Sequence, residues 1–157
     1  MIEKVREYFK KFGIENRIRE LGESSATVAL AAHALGTTEG RIAKSMGFDL
    51  GGKYIIIVLA GDVKIDNHKF KEEFKIKAKL IPFDTVGEIT GHAAGGVCPF
   101  AVNDGVDVYL DDSLKKYETV FPACGSSNSA AEFTPAELEK YSQNFVKWVD
   151  VSKSIEQ

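Results

Sequence analysis

The hydrophobic positions fall into two periods, and the change between them divides the chain. Near the start, Ile2, Val5, Phe9 and Phe12 follow the i, i+3, i+7, i+10 stripe of an amphipathic helix. Gly13 is a natural stop for it. A second helix is predicted over about Thr27 to Leu35. It is rich in alanine (Ala29, Ala31, Ala32, Ala34), has Ser24 and Ser25 as capping candidates, and closes at Gly36. A helix of small residues can bring its backbone close to a sheet. Thr37 to Ile42 reads as a capped single turn.

The period then drops to two. Lys44, Met46 and Phe48 alternate with Ser45, Gly47 and Asp49, which predicts a strand. Gly51-Gly52 turns the chain, and the β-branched run Lys53 to Ala60 returns as the second strand of a hairpin. Asp66 or Asn67 caps a helix through about Phe74. Further strands are expected at Ala78–Ile81, Val97–Val102, Val106–Leu110, Thr119–Ala123, Ala130–Phe133 and Phe145–Val149. A short helix is expected at Asp84–Thr90, ending at Gly91. Thr134-Pro135-Ala136-Glu137 starts another that runs to about Ser142, with Pro at the first helical position. About seven short strands and four to five helices, not in strict βαβα order, predict an α+β fold with a mixed, partly barrel-like sheet.

Size and composition keep this picture simple. The 157 residues suit one domain spanning 1–157. No repeat or linker divides them. No apolar run reaches the ~18 residues of a membrane helix; the best, Tyr54 to Gly61, is strand-sized. The first residues mix both charge signs and carry no apolar stretch, so a cytoplasmic protein without a signal peptide is expected. Cys98 and Cys124 make neither a CxxC pair nor a disulfide framework, and His33, His68 and His92 have no metal-ligand spacing. No metal and no cofactor are expected.

Charge changes the picture more. The net charge of -3 hides an asymmetry. Residues 1–80 hold 15 basic and 11 acidic side chains, and residues 81–157 hold 5 and 12. The densest basic stretch runs from Lys64 to Lys79. It reads either as a face for an acidic molecule or as a solvated helix followed by a lysine-protected edge strand.

Three places could carry chemistry. The loop Gly91-His92-Ala93-Ala94-Gly95-Gly96-Val97-Cys98-Pro99-Phe100 is neither a P-loop nor a dinucleotide fingerprint. Its paired glycines could present backbone N–H groups to a carbonyl or oxyanion, or simply make a tight turn. Lys44 opens a strand beside Ser45, where it is either solvated or a fixed cation in a cleft. Cys124-Gly125-Ser126-Ser127-Asn128-Ser129 is a polar loop that could also form the hydrogen-bonding wall of a small-ligand site. Cys98, between Val97 and Pro99, reads as a small buried hydrophobe. His33 reads as a packing residue. His92, beside the glycine loop, is the better functional histidine.

Taken in order, these segments resemble the YbaK/ProX family of aminoacyl-tRNA editing domains, also called YbaK/EbsC. The resemblance lies in Ser25 to Ala32, Leu35-Gly36, Arg41-Ile42-Ala43-Lys44-Ser45, the Gly91…Gly95-Gly96-Val97-Cys98-Pro99-Phe100 loop, and Phe121 to Ser129 continuing through Thr134-Pro135-Ala136-Glu137-Leu138. It covers roughly residues 1–150. It implies a curled mixed sheet with surrounding helices, and hydrolysis of the ester joining a wrong amino acid to the 3′-terminal ribose of a tRNA. Family members are free-standing or inserted in prolyl-tRNA synthetase. The implied partners are therefore the 3′-terminal adenosine and acceptor stem of an aminoacyl-tRNA, with that synthetase as a further candidate.

By the same resemblance Lys44, Gly95 and Gly96 are the catalytic positions. Pro99 joins them as a substrate-binding position by the resemblance, and the residues themselves offer Thr27, Ser45, His92, Val97, Gly125, Ser127 and Asn128 as further substrate-binding candidates. The expected substrate is a tRNA(Pro) mischarged with a small amino acid. Two rivals stand beside this reading. One is a non-catalytic sensor of an amino acid, aminoacyl group or nucleotide on the same fold. The other is a thiol-dependent hydrolase using Cys98 or Cys124.

Overall fold

A computed structural model describes residues 2–156. Helix α1 (Ile2–Lys10) forms where the apolar stripe predicts it, burying Val5 and Phe9. Gly13, at φ 69°, sits in the turn beyond. The short strand β1 (Arg19–Glu20) leads to α2 (Val28–Leu35). The cap of α2 is Thr27, whose hydroxyl accepts from the Leu30 N–H at 3.2 Å. Neither serine candidate is the cap: the Ser24 hydroxyl accepts from the nearer Ala26 N–H, and Ser25 is turned into the protein, 9% exposed. Gly36, left-handed at φ 67°, closes α2.

The hairpin β2 (Ile42–Asp49) and β3 (Tyr54–Ala60) follows as predicted. Next come β4 (Val63–Ile65), α3 (Asn67–Phe74) capped by Asp66, and α4 (Val86–Thr90). The chain continues through β5 (Asp107–Asp111), β6 (Phe121–Pro122), β7 (Ser129–Ala130) and α5 (Pro135–Tyr141), and ends with β8 (Phe145–Val149) and β9 (Ser152–Ser154). Thr134 and Glu137 cap the start of α5 reciprocally, each side chain bonding the other's backbone N–H.

The main sheet has the order β6-β2-β3-β5-β8. Only β2 and β3 run antiparallel; the other neighbours are parallel. It curls into a half-barrel, and two small ribbons, β1-β7 and β4-β9, flank it. Central β3 is buried from Ile55 to Ala60, which accounts for its unbroken apolar run. Aromatic contacts through Phe48, Phe70, Phe74 and Tyr109 (centroids 4.7–5.1 Å) hold α3 to the sheet. A second cluster joins Phe9 of α1 to Phe100 and Phe133 at 4.8 and 5.8 Å. Helix α2 rests through Ala31 and Ala32 on Ile42, Phe121 and Ala130, the close approach its small residues allow.

Two predicted strands do not form. Val97–Val102 is buried but irregular. Pro99 has no N–H, Ala101 adopts φ 53°, and the segment is tied by single bonds from Gln143 N–H to the Pro99 carbonyl and from Val102 N–H to the Gln143 amide oxygen, both 2.8 Å. Ala78–Ile81 reduces to one bridge, between Leu80 and Phe48. The predicted Ala130–Phe133 strand is likewise only Ser129–Ala130 with a bridge from Phe133 to Val120.

Candidate functional site

The outer edge of β2 is paired at both ends and open in the middle. The β6 ladder pairs with Ile42 and Ala43 and stops there. At the far end Asp49 N–H donates to the Lys79 carbonyl (2.9 Å), and Ile81 N–H donates to the Gly47 carbonyl (3.0 Å). Antiparallel pairing sends the N–H and C=O of alternate residues to opposite sides of a strand. Gly47 and Asp49 turn theirs outward, so Ser45 does too. Among the described residues no strand pairs with Ser45 on that side.

A cavity of about 600 Å³ opens against this gap. Its lining includes β2 from Ile42 to Gly47, Val28, Ala31 and Leu35 of α2, and Ser25 to Thr27 at the start of that helix. Leu80 to Phe83 with Val86, Ala94, Gly95 and Val97, and Phe121, Ala123, Ser129 and Ala130 complete it. The lining is mostly apolar, with a few convergent polar groups, as small-molecule sites are. Lys44 is its one ionisable side chain.

Lys44 is half-buried. Its ammonium donates to the carbonyl of Val63, just past the β3–β4 turn. Burial lowers its pKa, and the Asp62 carboxylate opposes that shift. Asp62 in turn accepts from the Tyr117 hydroxyl at 2.5 Å. The hydroxyls of Ser45 and Ser25, which both line the cavity, are buried and have no hydrogen-bond partner. A buried hydroxyl without a partner is costly, and both of these belong to residues of the cavity wall.

Five of the predicted residues therefore share the cavity: Thr27, Lys44, Ser45, Gly95 and Val97. The others stand behind it or outside. Gly96 is buried, its N–H already donated to the Ala93 carbonyl at 2.9 Å. Its task is contact, for a Cβ there would meet the backbone of Gly125 and Ser126 at 2.8 Å. Gly95, at φ 90°, lies against Ala26 and Ser127. These two glycines thus bring together the three loops around residues 26, 95 and 126. Gly125 is buried in the same contact, and Pro99 is buried in the core side of the loop.

Ser127 and Asn128 are exposed and lie outside the lining. Their carbonyls accept from the Ser25 and Leu21 N–H groups at 2.6 and 2.7 Å, which fastens the loop to the segment before α2. From this loop it is Ser129, two residues beyond Ser127 where β7 begins, that belongs to the cavity wall, fully buried and with its hydroxyl bonded to Ser126. Ser25, Met46, Phe121 and the Leu80–Phe83 segment are also lining residues that the sequence reading did not select. The signal for Ser25 and Ser129 was present, since both lie inside the quoted motifs.

His92 is fully buried outside the lining. Its Nε2 lies 2.6 Å from the Phe100 carbonyl, so that nitrogen carries the proton and donates. Burial lowers its pKa to about 4, leaving it neutral at pH 7. Cys98 lies 3.5 Å from it, fully buried, its thiol pushed up by burial to about 12. Cys124 is fully buried too, with its pKa raised for the same reason. Neither thiol lines the cavity, which overturns the thiol-hydrolase reading: a nucleophile must be reachable and ionised. Among the described residues no three His, Cys, Asp or Glu side chains converge as metal ligands. No described helix is long and apolar enough to cross a membrane.

A curled half-barrel with a cavity on the open edge of β2, lined by Lys44 and part of the glycine loop, defines an α+β domain with a candidate ligand site. Residues 22–141 match the model of the aminoacyl-tRNA editing domain, and the chain belongs to that family. It is 49% identical over 156 residues to the uncharacterized protein YwhH of Bacillus subtilis, covering 99% of each chain. It is 28% identical to proline–tRNA ligase of Leptospira interrogans, over 90% of this chain but 24% of the ligase. Among solved structures, a proposed trans-editing enzyme for prolyl-tRNA synthetase superposes with a TM-score of 0.86 at 27% identity, covering 98% of this chain and 97% of that one. Family and neighbour together support an editing role, and the half-barrel matches the neighbour's fold.

Proposed function

We propose that the 157 residues act as one cytoplasmic unit, a trans-editing deacylase that hydrolyses the ester of a mischarged aminoacyl-tRNA. The proposed substrate is a tRNA(Pro) carrying a small amino acid. The observation that supports this best is the cavity on the open edge of β2, where Lys44, Ser45, Thr27 and Gly95 meet. Its volume of about 600 Å³ suits an aminoacyl group together with its terminal adenosine.

The lining limits the mechanism. Among the described residues it holds no carboxylate, histidine or thiol, and its one amine, Lys44, is engaged on the Val63 carbonyl, so no side-chain general base stands ready. An aminoacyl ester is already activated, and positioning a water and stabilising the developing oxyanion supply much of the acceleration. In this reading Lys44 is the fixed cation that holds phosphate or ribose. Backbone N–H donors at Gly95 and Ser45 face the carbonyl. The Thr27 hydroxyl orients the amino acid and water, and groups of the substrate itself take the proton. Such a sieve is needed because a synthetase pocket rejects a smaller or near-isosteric amino acid only weakly.

The test is release of labelled amino acid from Ala-, Cys- and Ser-tRNA(Pro), with Lys44→Ala alongside. The expected result is rapid release from one of them, reduced about a hundredfold in the variant at unchanged melting temperature. Retained turnover in the variant would remove Lys44 from the site. The lack of a side-chain base also favours a second reading, a sensor on the same fold. Binding of an amino acid or nucleotide with flat release across the panel would decide for it.

A further inference from the structure

The basic stretch of the sequence leads to the mouth of the cavity. After α3 the chain turns at Lys75, left-handed at φ 63°, and runs extended along the end of β2, held by the bonds of Lys79 and Ile81 to Asp49 and Gly47. Lys75, Lys77 and Lys79 are all exposed, Lys75 at the bend and the other two on the stretch that follows. The segment ends at Phe83, which lines the cavity yet is 84% exposed. Leu80 beside it is 56% exposed. The acidic neighbours are Asp49, 3.9 Å from Lys79, Asp84 after Phe83 at the surface, and Glu72 and Glu73 before Lys75, which pair with His68 and Lys147.

Single exposed apolar residues are ordinary on protein surfaces. An exposed aromatic ring at a cavity mouth, preceded along the chain by three exposed lysines, has the components that bind single-stranded nucleic acid: the ring stacks on a base and the cations follow the phosphates. A duplex fits less well, since its bases are already stacked on one another. We infer that residues 75–83 form the track for an unpaired 3′ end, with Phe83 stacking on a base at the cavity mouth and Lys75, Lys77 and Lys79 neutralising phosphates behind it. This rests on the reading of the cavity as an aminoacyl-tRNA site and adds the route by which the strand enters.

The experiment is fluorescence anisotropy with a labelled single-stranded oligonucleotide ending in CCA, and with a blunt duplex of the same sequence, over a series of salt concentrations. The single strand is expected to bind more tightly than the duplex. Phe83→Ala should weaken it at least about fivefold, and Phe83→Trp should restore it. Replacing Lys75, Lys77 and Lys79 by Gln should lower the slope of log affinity against log salt by about two. Wild-type affinity and slope in both variants would overturn the proposal, as would the absence of any nucleic-acid binding, which would leave the patch to a protein partner. Phe83-dependent binding of the strand without release of amino acid from any aminoacyl-tRNA would uphold the track and overturn the deacylase reading instead.

Discussion

A Cβ on Gly96 would lie 2.8 Å from the carbonyl carbon of Gly125, closer than side chains approach backbone. The backbone of the glycine loop and that of the serine loop therefore touch directly. Gly96 needs this for space, not for an unusual φ, whereas Gly95 beside it, at φ 90°, needs both.

Gly96→Ala must push the two loops apart. The expected cost is about 1–3 kcal/mol of stability, together with loss of turnover, because the loops carrying Gly95 and Ser129 can no longer share a cavity. Urea melts and deacylation assays of the same preparation check both. A variant of wild-type stability would show that the contact yields easily.

Ser45→Ala should act in opposite directions on stability and function. It removes a buried hydroxyl that has no partner, so the free protein should gain up to about 1 kcal/mol. If the hydroxyl serves the substrate, KM should rise. Thermal melting beside steady-state kinetics separates the two effects, and a stability loss would mean that Ser45 bonds something within the fold.

Both thiols should be inert in the native protein. Cys98 and Cys124 are fully buried and hold their protons well above neutral pH. Alkylation at pH 8 followed by mass spectrometry should label neither until denaturant is added. The Cys98→Ala/Cys124→Ala protein should keep its turnover while losing about 1–2 kcal/mol of stability.

His92 should set how stability changes in mild acid. Its folded pKa of about 4 lies below the ordinary 6.5, so between those values the unfolded chain binds the extra proton. The contribution is complete above about pH 6.5 and is lost as pH falls towards 4, at most about 3 kcal/mol. Denaturant midpoints at pH 7 and pH 5 should differ clearly in the wild type and much less in His92→Gln. Equal shifts in both would place the acid sensitivity elsewhere.

The sequence discloses this molecule unevenly, for physical reasons. Local signals work: the α1 stripe, the Gly51-Gly52 hairpin and the Thr134–Glu137 box each act over a few residues and are found where expected. Pairings between distant segments do not show. Strand β4 pairs with β9 across 91 positions, Val63 opposite Ser154, and both are too short to carry a period. Val97–Val102 has the composition of a strand, but it fills the core as irregular chain because Pro99 and Ala101 break the ladder.

The site divides in the same way. Lys44, Ser45, Thr27, Gly95 and Val97 lie in motifs legible along the chain, and they meet in the cavity. Ser127 and Asn128 have the polar chemistry expected of a ligand wall but spend their backbone on fastening the loop to Leu21 and Ser25. Phe83 could not be singled out as a lining residue, because only the route of the chain past β2 brings it to the cavity mouth.

The interruption in the pairing of β2 has a bearing on solubility as well. An uncovered sheet edge invites a strand from another molecule, and proteins guard against this. Here the exposed stretch lies between Ala43, held by β6, and Gly47, held by Ile81, a span of roughly 14 Å. A neighbouring chain finds too little edge to form a ladder, while one carbonyl and one amide remain available to something small. Brevity thus protects the protein from its own copies and leaves the slot open to a ligand.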